Sequence, residues 1–321
     1  MTKSFTLSEK GGTMDQDVLF KLLELFILMF LGYFLIAVKF IKKEALKHFS
    51  NFIFYVAMPA FIISSMSNSV NVDSSDLFTV IIMSFTLYGF LIGMSFILPN
   101  LLHVDKAYIG LYRFMAIFGN VGFVGFPVIK AVLGSDALFY AALINIPYNL
   151  FAYTIGVYFI SMDTEKKGTM SLSKLMNPGI IATLIGLFLF LTSIELPSVI
   201  SNLTTSLGNI TTPLSLIVVG GALYGVELKS VLKKRIIFIY SFIKLIILPT
   251  LFAFVISLFG INTDIASVAV IIVAMPIAAN TVILSQEYDG HVLEASEAVF
   301  ISTLLIGLSL PYVIFLINTL F

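Results

Sequence analysis

The side chains best placed to do chemistry lie in two short stretches. One is Gly119-Asn120-Val121-Gly122-Phe123-Val124-Gly125-Phe126-Pro127; the other is Ala274-Met275-Pro276-Ile277-Ala278-Ala279-Asn280. Each sets helix breakers and a carboxamide inside a strongly apolar run. Glycine costs a helix about 1 kcal/mol and proline about 3 relative to alanine, so both runs are expected to break. A helix that resumes after a break presents free N–H groups and about half a positive charge at its new N-terminus. Two such N-termini facing one cavity amount to an anion site of about one unit charge without a buried Lys or Arg. Pro127 and Pro276 suit the first helical position after a break, where the missing N–H is no loss. The carboxamides of Asn120 and Asn280 can donate to a carboxylate, accept from a protonated ligand, or satisfy backbone groups freed at their own breaks. Ligand contact is the preferred reading, with Ala279 and Thr281 flanking Asn280 in the candidate set. Gly122 and Gly125 also belong to that set, chiefly for the backbone conformation they allow.

Other polar residues within apolar runs mark further candidates, because intramembrane charge usually serves function. Asn145 and Asn149 are four apart and share one helical face; that face either lines the cavity or bonds to neighbouring helices. Lys244 is expected to snorkel or to pair internally, with direct attraction of an anion as the other reading. Lys130 is expected to reach the outer surface, where it can guide anions inward. Ser302 and Thr303 are expected to return hydrogen bonds to their own backbone. Catalysis has little to stand on: the chain has no Cys, and His48, His103 and His291 are far apart. Glu287, Asp289, His291, Glu294 and Glu297 can bind a metal or relay protons, but a solvated loop is the preferred reading. No enzyme activity, metal, cofactor or nucleotide is expected. The zero net charge argues against nucleic acid as a partner.

These residues must be positioned by helices in a bilayer. The 321 residues are 59% hydrophobic and 11% charged, and the mean hydropathy is +1.05; soluble domains run at about 45–50% and 25%. Residues 1–14 read as a disordered leader. Ten spans are expected at 18–40, 48–67, 77–98, 107–133, 137–161, 177–193, 198–224, 236–259, 265–286 and 292–321. Lys and Arg crowd the connections after odd-numbered spans, so the positive-inside rule places both termini outside the cytoplasmic (inner) membrane. Pro59 and Pro213, in the second and seventh spans, precede Pro127 and Pro276 by nearly equal intervals. Ten spans then divide into two inverted five-helix repeats with crossed, broken helices 4 and 9. Gly/Pro-interrupted segments in matching positions of two halves point to a transporter's binding site.

The stretch 119–127 resembles a motif of the auxin efflux carrier family, including its bacterial malate and malonate permeases. So do Met275-Pro276 through Asn280, continued by Ser285-Gln286-Glu287-Tyr288, and Ala298 to Leu305 before Leu310-Pro311. The resemblance implies the bile-acid-symporter-like, all-α fold. In that fold 15–70 and 177–228 form scaffold helices 1–2 and 6–7, and 71–176 and 229–321 form transport-domain helices 3–5 and 8–10. It further implies a homodimer through the scaffold and an elevator-type carrier of a small mono- or dicarboxylate such as malate or malonate. In plant members the Asn matching Asn120 lies against the ligand carboxylate. A sodium-coupled bile-acid-type symporter and a non-transporting membrane sensor are the alternatives on the same fold.

Overall fold

The computed structural model describes residues 16–67, 76–164, 178–192, 194–222, 224–225 and 234–321; the expected leader lies outside them. Among the described residues there is no strand. The helices are α1 (Gln16–Ala37), α2 (Ala45–Ser67), α3 (Asp76–Leu101), α4 (Ile109–Ile117), α5 (Val121–Leu133), α6 (Ala137–Ile144), α7 (Ile146–Phe151) and α8 (Val157–Met162). They continue as α9 (Pro178–Thr192), α10 (Ser198–Ala222), α11 (Arg235–Ser257), α12 (Thr263–Val273), α13 (Asn280–Glu287) and α14 (Val292–Leu320). Of these, α2, α3, α10, α11 and α14 are long and apolar enough to cross a membrane, by length and composition.

Their outward faces explain where the apolar excess goes. On α9 the exposed side chains are Ile181, Leu184, Ile185, Phe188 and Leu191, a helical stripe. On α3 they include Phe78, Ile81, Ile82 and Phe85. Water would penalise such continuous apolar stripes, whereas lipid tails accept them.

Proline shapes these helices without cutting them. Wide π-turns at Ile53–Ala57, Val121–Gly125 and Ile243–Ile247 each end two residues before a proline, namely Pro59, Pro127 and Pro249. A proline lacks the N–H for its i−4 carbonyl and its ring presses on that carbonyl; the wider turn makes room. Pro213 likewise sits inside α10. The breaks therefore lie elsewhere than the prolines suggest. Pro127 is well inside α5 rather than at its first position. Pro276 lies in the extended link before α13, which begins at Asn280.

Close packing holds the helices in register. The α1 helix runs along α10, while α9 and α10 pack on α2. A Cβ at Gly220 would fall 1.7 Å from the Met29 carbonyl oxygen, and one at Gly32 would fall 2.0 Å from that of Ile217. The two backbones touch, which is how helices associate where no hydrophobic effect drives them together. Elsewhere α3 packs on α4 and α12, and α14 on α11 and α13.

Candidate functional site

The two interrupted runs meet. The α4 helix ends at Ile117, Phe118 is extended, and the chain resumes at Val121. Gly119 and Ile277 form an isolated antiparallel bridge, in which Asn120 N–H donates to Pro276 O at 2.7 Å and Ala278 N–H to Phe118 O at 3.1 Å. Each link thus satisfies backbone groups that the other has freed, as an apolar interior requires. Glycine suits the close approach at 119, where a Cβ would sit 3.0 Å from Met275 Cβ and 3.3 Å from Met275 O. Ser302 of α14 braces the crossing by accepting from Ile277 N–H at 3.1 Å while donating to Val299 O at 3.2 Å. Its expected back-bond is therefore present. Thr303 Oγ1 is buried with no partner among the described residues, so the same expectation fails there.

Beside the crossing lies a cavity of about 80 Å³, where ~10–15 Å³ admits one water. Asn120, Gly122, Asn145, Ala279 and Asn280 line it. Among the described residues the N–H groups of Gly122, Ala279 and Asn280 have no acceptor. These are the orphan donors of two helix N-termini. Asn120 serves its own helix: its Oδ1 accepts from Phe123 N–H at 3.3 Å, as an N-cap. That use orients the carboxamide and leaves Nδ2 without a described acceptor. Asn280 makes no hydrogen bond to a described residue and is half-buried. Among the described residues no carboxylate lines the cavity.

The remaining candidates lie elsewhere. Pro127, Pro276, Gly125 and Thr281 do not line the cavity. Gly125 instead packs on Met275, which a Cβ would approach to 3.3 Å. Asn145 closes α6 at the junction with α7, and its Oδ1 is buried with no described partner. The side chain of Asn149 lies outside the described residues. Lys244 is fully buried and away from the cavity; its Nζ donates to Ala116 O at 2.8 Å. It does not snorkel. It meets an orphan carbonyl at the C-terminal end of α4, where the helix dipole favours a cation. Lys130 meets α10 in an exposed contact, 3.4 Å from Asn209 Oδ1, and lies 5.1 Å from the centre of the Phe61 ring.

Sequence reasoning missed the opposite wall: Phe54, Met58 and Ile62 of α2, and Gly179, Ile180 and Thr183 of α9. They are apolar or, at Thr183, already bonded to the Gly179 carbonyl at 2.8 Å. Only their sequence separation from the crossing hid them, since nothing in their types marks a site.

The acidic group near the start of α14 also differs from expectation. Glu294 and Glu297 are buried, at 9% and 1% exposure, rather than part of a solvated loop. Lys234 Nζ lies 2.5 Å from Glu294 Oε2 and 2.5 Å from Glu297 Oε2. Tyr112 Oη donates to Glu294 Oε1 at 2.9 Å. Burial lowers the pKa of Lys234, but its hydrogen bonds and attraction to the two carboxylates outweigh this and hold it above 10.5. His291 is engaged separately, with Nε2 2.7 Å from Ala107 O. The side chains of Gln286 and Glu287 lie outside the described residues.

Comparison with known proteins agrees with this architecture. A family model described as membrane transport protein, that of the auxin efflux carriers, matches residues 17–174 and 168–314. An uncharacterized transporter of Methanocaldococcus jannaschii is 26% identical over 287 residues, covering 86% of this chain and 91% of its own. A Rhizobium meliloti protein named "Putative malonate transporter" is 24% identical over 308 residues, covering 92% and 95%. Apolar helices, a mid-chain crossing and a family match along nearly the whole length converge: the chain is a multi-pass membrane protein of the auxin efflux carrier family.

Proposed function

We propose that this chain is a secondary transporter that carries a small organic anion, a mono- or dicarboxylate such as malate or malonate, across the cytoplasmic membrane. The observation that carries the reading is the set of donors around one cavity: the free N–H groups of Gly122, Ala279 and Asn280, with the carboxamides of Asn120 and Asn280, and no carboxylate among the described lining residues. Together the N-termini of α5 and α13 supply about one positive charge, so a carboxylate is held without a lysine in the cavity. The malonate named for the Rhizobium meliloti relative is of this class.

The cavity is polar on one side only, which suggests how the anion moves. Its donors belong to the crossing, whereas α2 and α9 supply a wall with no free hydrogen-bonding side chain. A seat sliding along such a wall breaks van der Waals contacts that re-form elsewhere and no directional bonds. In the proposed mechanism, helices 3–5 and 8–10 of a ten-span, inverted-repeat bundle carry the anion as a unit past a scaffold of helices 1, 2, 6 and 7. The packing of α1, α2, α9 and α10 on one another supports that division. Both termini face outward, and two copies pair through the scaffold.

The test is counterflow of labelled carboxylates into proteoliposomes holding the purified chain. Exchange of at least one mono- or dicarboxylate is expected. Its absence across a panel of both classes would remove the proposal.

A further inference from the structure

We infer that Asn145 is a specificity-determining residue: its carboxamide hydrogen-bonds a second oxygen-bearing group, hydroxyl or carboxyl, of an acid whose first carboxylate is seated at the crossing. This role rests on the proposed transport of a carboxylate and adds the feature by which the cavity tells one acid from another. Asn145 lines the cavity, yet its Oδ1 is buried and meets no partner among the described residues. Its Nδ2 likewise has no described acceptor. Polar side chains in such places normally find partners, and an apolar side chain of the same shape would fill the position at no such cost. An amide kept in that condition beside a cavity points to a ligand as its partner.

The local sequence holds that amide in place. Asn145 caps the C-terminal end of α6, and both of its backbone groups are engaged: its N–H donates to Ala141 O at 3.0 Å, and its carbonyl accepts from Tyr148 N–H at 3.2 Å. Pro147 supplies no N–H to continue the helical ladder, so α6 ends here and α7 begins at Ile146. The Tyr148 ring packs edge-on against Phe118, with 5.3 Å between centroids, and against Tyr88 at 6.5 Å. Phe118 is part of the crossing, where its carbonyl accepts from Ala278 N–H. The turn between α6 and α7 thus abuts the crossing and belongs with it, not with the apolar wall of α2 and α9.

Two hydrogen-bonding stations then serve one substrate. The N–H groups of Gly122, Ala279 and Asn280, with Asn120 Nδ2, hold a carboxylate, and Asn145 Nδ2 donates to an oxygen farther along the molecule. A plain monocarboxylate sets a methyl group against that amide, which removes its water and returns nothing. A site built to hydrogen-bond a substrate group discriminates sharply against the analogue that lacks it. Bifunctional acids are accordingly preferred. Asn145 falls in the fifth span, assigned above to the moving unit, so both stations travel together and sliding breaks neither.

Malonate, lactate and propionate test this, because they share a three-carbon frame and differ in one group: carboxyl, hydroxyl or neither. Calorimetric binding to the purified chain should favour malonate, lactate or both over propionate by about tenfold or more; which one is favoured identifies the second group. Asn145→Leu should bring the ratios close to one without lowering the melting temperature, since no hydrogen bond within the protein is lost. Asn145→Asp keeps the shape and sets a carboxylate against the second one of malonate, so a malonate preference should vanish there too; this variant decides the matter if Asn145→Leu does not fold. Equal or undetectable binding of the three acids by the wild type, or an unchanged ratio in the variants, would overturn the inference. A lower melting temperature in Asn145→Leu, with all three acids weakened alike, would mark a structural amide and overturn it as well. Selective binding without counterflow of any acid would remove the proposed transport and leave the role of Asn145 standing.

Discussion

Asn120 is asked to do two jobs, and substitution can separate them. Its Oδ1 caps Phe123 N–H, while Nδ2 is free beside the cavity. Serine caps a helix about as well as asparagine, whereas alanine costs about 1 kcal/mol. Asn120→Ser should thus keep the cap and lose the amide donor; Asn120→Ala loses both. A hydrogen bond to a charged group contributes about 1.5–3 kcal/mol, and each 1.4 kcal/mol is tenfold in affinity. Anion affinity should fall by about 10- to 100-fold in both variants. Thermal stability should fall only in Asn120→Ala, by about 1 kcal/mol or a few degrees. Counterflow at graded substrate concentrations reads the first quantity and a melting curve in detergent reads the second. Wild-type affinity in Asn120→Ser would refute the ligand role of Nδ2. Equal melting losses in the two variants would refute the cap.

Other outcomes follow from the same geometry. Gly220→Ala should lose about 1–3 kcal/mol by overpacking, because its Cβ meets Met29 backbone; Gly89→Ala, whose Cβ meets nothing within 4 Å, should not. A melting comparison decides it. Lys244→Glu sets a buried carboxylate against the Ala116 carbonyl, which should cost about 3–5 kcal/mol and is checked by the yield of monodisperse protein. Lys234 stabilises the fold fully below pH 10.5 and loses that effect as pH climbs through its raised pKa. The melting difference between wild type and Lys234→Met should accordingly shrink as pH climbs from neutral into strong alkali. Lys130 and Asn209 join α5 to α10 through side-chain tips 3.4 Å apart, so Lys130→Cys and Asn209→Cys are suited to a reducible bis-thiol cross-linker longer than a direct disulfide. With no native Cys, cross-linking should arrest exchange and reduction restore it; transport undiminished by the link would argue against sliding.

Lys244 shows why part of the site was beyond sequence reading. A lysine in an apolar run announces a need for a partner, but the partner is a backbone carbonyl, and every residue has one. Only the break after α4 makes the Ala116 carbonyl special. Glu294 and Glu297 were legible as charges, yet their burial depends on Lys234 and Tyr112, far off in sequence. The prolines misled in a different way. They mark strain in the helical ladder, and a π-turn relieves that strain without a break.

By itself the sequence determined the apolar helices, the two interrupted stretches and the carboxamides within them, because hydropathy and backbone propensity are local properties. The tertiary structure alone decided that Asn120 bonds to Pro276 across the crossing, and that the N–H groups of Gly122, Ala279 and Asn280 border one cavity. It also decided that the far wall is the apolar face of α2 and α9. The physical reason is that a free donor is defined by what fails to reach it, which depends on every neighbour in space and on none in sequence.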